Sequence, residues 1–234
     1  MPSNAVHLPR RSITSAQLLT QLGLDHGLSV ERCLRDTGLS PLQLAELHSE
    51  IEGNQELQLI RNLIEALPEQ VDLGLQAGLR YQLTTYGIWG YALLSSQTFR
   101  RAAELGLRYL DLTFAFNHVT LREDANQAHL ELDGSHLPAQ VRDFLLLRDA
   151  VAVMVIQREL TGGKIPLSQV QLSMNTPPDT GRFIEQFGLL PEFASAQNRI
   201  SFPRHFLDLP LPRANPHSAQ LCELQCQALL AKRQ

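Results

Sequence analysis

One stretch restricts what this chain can fold into more than any other: "FLLLRDAVAVMVI", residues 144 to 156. Pro138 opens a helical pattern that runs through it to the Gly162–Gly163 pair. The middle of that pattern is apolar on nearly every side. A helix with one apolar stripe needs one packing partner, whereas a helix apolar all round needs partners on all sides. The run falls far short of the ~20 residues that cross a bilayer, and Arg148 and Asp149 interrupt it. A buried helix between a sheet and other helices is the arrangement it predicts.

The chain on either side supplies those layers. In the first 80 residues every segment reads as helix. "SVERCLRDTGLS" has Ser29 as N-cap and Gly38 as stop, and "SPLQLAELHSEI" has Ser40 as cap with Pro41 in the first position. "NQELQLIRNLIEAL" places Leu57, Ile60, Ile64 and Leu67 on one face, and Pro68 opens a further short helix. Beyond residue 80 the character changes. Ser96 reads as the cap of a helix over "QTFRRAAELGLRYLDL"; "HVTLRED" and "AHLELDG" alternate as a β-hairpin around "DANQ". "LSQVQLSM" and the run from Arg199 to Phe202 read as strands, with a short helix between them. A proline-rich link then leads to a last amphipathic helix, "SAQLCELQCQALLAKR". The expected fold is α+β: an all-helical part (1–80), then a small, mostly antiparallel sheet packed against the long central helix (81–216), then a C-terminal helix (217–234). All of it is expected to form one domain.

Few kinds of chemistry survive inspection. Net charge is -4, whereas a duplex-binding surface normally carries a basic excess, so the chain reads as a poor nucleic-acid binder. Three cysteines, Cys33, Cys222 and Cys226, make no disulfide framework and point to the cytoplasm. None of the eight histidines, which include His7, His48, His118 and His129, stands at a recurrent metal spacing. "LLSSQTF" lacks the flanking glycines of a nucleophile elbow, and "YGIWGY" lacks a phosphate-loop pattern. No enzyme constellation, metal set or cofactor is expected. What stands out is an aromatic junction with Tyr81, Tyr86, Trp89 and Tyr91, either core packing or the wall of a small-molecule pocket.

That junction carries a resemblance. Gly74-Leu75, Tyr86-Gly87-Ile88-Trp89-Gly90-Tyr91-Ala92, Ser95-Ser96 and Thr98-Phe99-Arg100-Arg101-Ala102 resemble the N-terminal effector-binding, arabinose-binding-like domain of AraC-type transcription regulators. Gln97 stands where relatives often have proline. Phe187-Gly188, Phe193, Asn198, Ile200, Phe202 and Leu207 through Pro212 extend the likeness over most of the chain.

The resemblance implies a bacterial, cytoplasmic sensor domain whose DNA contacts are made by a helix-turn-helix domain beyond Gln234. It implies allosteric control by a small-molecule effector, with a homodimer as a further partner and no membrane. A ligand-free dimerisation domain is the alternative. The candidate ligand-binding residues are Arg80, Tyr86, Trp89 and His118, suited to a hydrophobic ligand with a polar or acidic head.

Overall fold

The structure is a computed structural model and describes residues 10–46 and 49–233. His7 and His48 lie outside the described residues.

The central helix, α8, spans Ala139–Thr161 and ends at Gly162 in the left-handed conformation. Leu145, Leu146 and Leu147 are all buried, as are Arg148, Asp149 and Ala150, so five consecutive side chains beyond Leu145 find cover in every direction. The cover comes from two layers, as a helix without a polar face requires.

The first layer is the helical N-terminal part. Helices α1 (Thr14–Asp25), α2 (Val30–Leu34), α3 (Pro41–Leu44), α4 (Gly53–Ala66) and α5 (Leu73–Gly78) follow one another. Ser29 caps α2, and Ser40 with Gln43 forms a capping box on α3. A two-residue ladder, β1 (Arg11–Ser12) with β2 (Glu50–Ile51), adds a scrap of sheet to a part expected to be wholly helical. Helix α5 lies close against α8. A Cβ on Gly74 would sit 2.3 Å from the Phe144 carbonyl oxygen, so only glycine permits that approach.

The second layer is a four-stranded antiparallel sheet in the order β3-β4-β6-β5. Its strands are β3 (His118–Glu123), β4 (Gln127–Asp133), β5 (Gln169–Gln171) and β6 (Arg199–Pro203). The register sets Leu121, Leu130, Ile200 and Val170 side by side across the sheet. This row makes one face apolar; on the other, Glu131 pairs with Arg122 and Arg199. The α+β class expected from the element order is the one observed.

Three helices close the open side. Helices α6 (Ile88–Leu94) and α7 (Phe99–Arg108) precede the sheet in sequence, and α10 (Pro216–Arg233) packs on α6 after it; α9 (Gly181–Phe187) covers the β5 end. A Cβ on Gly90 would stand 2.1 Å from the Leu83 carbonyl oxygen, which is why "YGIWGY" needs its second glycine. The cap of α7 is Thr98, whose hydroxyl accepts from the Arg101 amide at 3.2 Å, rather than Ser96. Residues 97–99 are held extended by backbone bonds between Leu211 and Gln97 and between Phe99 and Leu209, so the helix cannot start earlier. Ser96 instead donates to the Ala92 carbonyl at 2.9 Å.

Candidate functional site

Between the sheet and α6, α7 and α8 lies a cavity of about 130 Å³. Each wall follows from a local sequence pattern. The sheet contributes alternate residues, Val119 and Leu121 from β3, Leu130 from β4, and Ile200 and Phe202 from β6. Helix α8 contributes Ala152, Ile156 and Leu160 at four-residue spacing, with Val153 and Gln157 beside them. Helix α7 presents Ala102, Ala103 and Gly106, and the smallness of these side chains and of Ala152 leaves the space. The aromatic junction supplies Tyr81, Tyr86 and Trp89. The choice between core and pocket wall at Trp89 was a false one: it is buried, lines the cavity, and packs in the cluster that holds Cys226 of α10. Its indole nitrogen donates to the Gly106 carbonyl at 3.2 Å, tying α6 to α7.

Arg148 and Asp149 form the polar end of the cavity wall. Arg148 is 1% exposed and donates to Glu56 at 2.7 Å, to Asp149 at 2.8 and 3.0 Å, and to the Phe114 carbonyl at 2.5 Å. Asp149 also accepts from the Phe116 and Asn117 amides and from the Asn117 side chain. Glu56 further accepts from Ser15 at 2.7 Å and from Arg11 at 3.5 Å, and Ser15 shares a 2.7 Å hydrogen bond with the Tyr81 hydroxyl. Two guanidiniums thus face two carboxylates, and the buried charge balances. Burial disfavours the Arg148 charge, yet Asp149, then Tyr81 and Glu56, together outweigh burial and hold its pKa above the ordinary range. Arg11 goes the other way, lowered by burial. Burial also pushes the Tyr81 phenol up to about 12 and raises that of Tyr86.

Of the four residues singled out in the sequence, Tyr86 and Trp89 come together on the cavity wall. Arg80 does not join them. It follows α5 and pairs with Asp25 at 2.5 Å on the outer surface. His118 is exposed and stacks on His136, ring centres 4.3 Å apart. Strand alternation accounts for that: where Val119 and Leu121 face inward, His118 faces out. Arg148 and Asp149, which line the cavity, and Glu56, which holds Arg148, were missed, whereas Tyr81 was read only as part of the aromatic junction. The signal was present, because a charged pair inside a run apolar on all sides must be buried and compensated. Among the described residues no group of three or more histidine, cysteine or acidic side chains is placed to hold a metal.

The family model described as the arabinose-binding domain of AraC transcription regulator, N-terminal, matches residues 27–211. An uncharacterized HTH-type transcriptional regulator of Mycobacterium tuberculosis is 30% identical over 238 residues, covering 97% of this chain and 68% of its own. A regulator of the same description from Mycobacterium bovis matches equally. The ornithine utilization regulator of Pseudomonas aeruginosa is 31% identical over 169 residues, 71% of this chain and 49% of that protein. Among solved structures, the transcriptional regulator CdpR from Pseudomonas aeruginosa shares the fold, with a TM-score of 0.64 at 19% identity. That match covers 89% of this chain and 61% of the CdpR chain.

Proposed function

Because this chain belongs to the AraC-type transcription regulators, through their arabinose-binding N-terminal domain, we propose that its cavity holds a small-molecule effector and that α10 passes the bound state to a DNA-binding domain. The family is one of regulators and not of enzymes. The whole chain, 1–234, acts in this reading as one sensing unit in the cytoplasm. No described helix is long and apolar enough to cross a membrane.

The observation that carries the proposal is that the cavity and the seat of α10 share a wall. Trp89 and Leu93 of α6 line the cavity and also pack in the cluster with Cys226 and Leu230 of α10. Helix α7 lines the cavity with Ala103 and Gly106, while its Arg101 and Arg108 grip Glu223 of α10 at 3.0 and 2.7 Å. A ligand that moves α6 or α7 therefore moves the seat of α10, and such coupling is what an effector needs to bias an attached domain.

Trp89, the only tryptophan, reports on the site. An effector at about 100 times its dissociation constant should stabilise the protein by ~2.7 kcal/mol and alter Trp89 emission. Ala103→Leu, which fills the cavity, should abolish both effects. Binding that survives Ala103→Leu undiminished would place the effector elsewhere.

A second reading draws on α10 itself. Leu221 and Leu224 share a face of that helix and are 49% and 55% exposed, which suits pairing of two copies without a ligand. Sedimentation of the wild type and of Leu221→Glu/Leu224→Glu separates the readings. A dimer that the double variant splits, with no effector response in either protein, would favour it.

A further inference from the structure

We propose that the effector is uncharged and largely apolar, with the bulk of one aromatic ring or an equivalent short alkyl chain. The inference rests on the cavity being the effector site and goes on to name what it accepts.

The polar groups on the walls are already spoken for. Arg148, the one cation on the lining among the described residues, has its donors directed to Glu56, Asp149 and the Phe114 carbonyl. An acidic ligand would have to draw it away from two buried carboxylates, leaving them uncompensated in a water-poor interior. A cationic ligand fares no better, because both Asp149 oxygens are engaged, Oδ1 by Arg148 and Oδ2 by Phe116 and Asn117. Trp89 donates to Gly106. Gln157 donates to Thr161 and Gly163 and accepts from the Ile165 amide. A sugar brings a hydroxyl on nearly every carbon, and each one buried without a partner costs binding. Neither the sugar of the family description nor the charged amino acid in the ornithine regulator's name suits such walls.

One polar offer remains. The Tyr86 hydroxyl makes no hydrogen bond among the described residues, and burial keeps it protonated. It can donate to, or accept from, a single ligand carbonyl or hydroxyl. Size follows from volume: 130 Å³ is close to the about 150 Å³ of an engineered apolar protein cavity that takes up benzene.

The test compares probes of one size and different charge: toluene, benzyl alcohol, benzoate, benzylamine and L-arabinose, read by Trp89 emission and thermal shift. Toluene and benzyl alcohol should bind with dissociation constants on the order of 0.1–1 mM. Benzoate and benzylamine should bind at least about tenfold more weakly, and arabinose not at all. Tyr86→Phe should weaken benzyl alcohol several-fold and leave toluene unchanged. Ala103→Leu should abolish binding of both; Leu107→Phe serves as a second filling variant where the first does not fold. Benzoate, benzylamine or arabinose binding as tightly as toluene, and lost in the filling variant, overturns the chemical class and leaves the cavity as a sensor. Binding by none of the five removes the class and the sensing role together.

Discussion

Arg148 carries a large share of the molecule's internal consistency, since it joins α4, α8 and the Phe114 loop at one buried point. Breaking a buried pair strands the remaining charges, so Arg148→Leu should lower unfolding free energy by about 3–5 kcal/mol in urea titrations. Arg80→Ala, which removes an exposed pair with Asp25, should leave the midpoint nearly unchanged. Tyr81 gives the cluster a pH signature. Its folded pKa is raised from near 10 to about 12, so the unfolded tyrosine ionises first. The stability it contributes is complete below about pH 10 and drains away as pH rises toward 12, by roughly 2–3 kcal/mol. Tyr81→Phe should flatten that alkaline slope; an unchanged slope would show that other groups cause it. At this scale the sequence was only half readable. Tyr86 and Trp89 announce themselves by composition, whereas Arg148 and Asp149 acquire their partners from α4 and the 114–117 loop, which no local pattern connects to them.

Elements were more legible than their ends, because periodicity lies within a segment while its termini answer to neighbours. The span of α8 could be read from Pro138 and Gly162, and the hairpin from its alternation. The start of α7 could not, since the 209–211 strand-like segment pairs with residues 97–99 and delays the helix to Thr98. Thr98→Ala should accordingly cost ~1 kcal/mol in thermal or chemical unfolding. "LSQVQLSM" narrows to Gln169–Gln171 for a similar reason, as the Leu172 amide turns to Glu192 instead of β6. Contact between α5 and α8 is the tightest of these dependencies. Gly74→Ala drives a methyl toward the Phe144 carbonyl oxygen at 2.3 Å and should cost about 1–3 kcal/mol as the helices part. A neutral or stabilising result would mean α5 can rotate away without loss.

For the whole molecule, the cavity matters only if what happens in it reaches α10. Net charge of -4 gives residues 1–234 no overall electrostatic attraction to a duplex, and the proposed reading accordingly routes control of transcription through an attached domain. The path available is short: an apolar cavity, then Trp89 and the α7 wall, then Cys226 and Glu223 of α10. Hydrogen–deuterium exchange with and without a saturating cavity ligand, toluene or benzyl alcohol, tests that path most directly. The account predicts slower exchange in residues 88–108, which wall the cavity, and a coupled change in residues 216–233, which the ligand never touches. Protection confined to the cavity walls, with α10 exchanging as before, would contradict it.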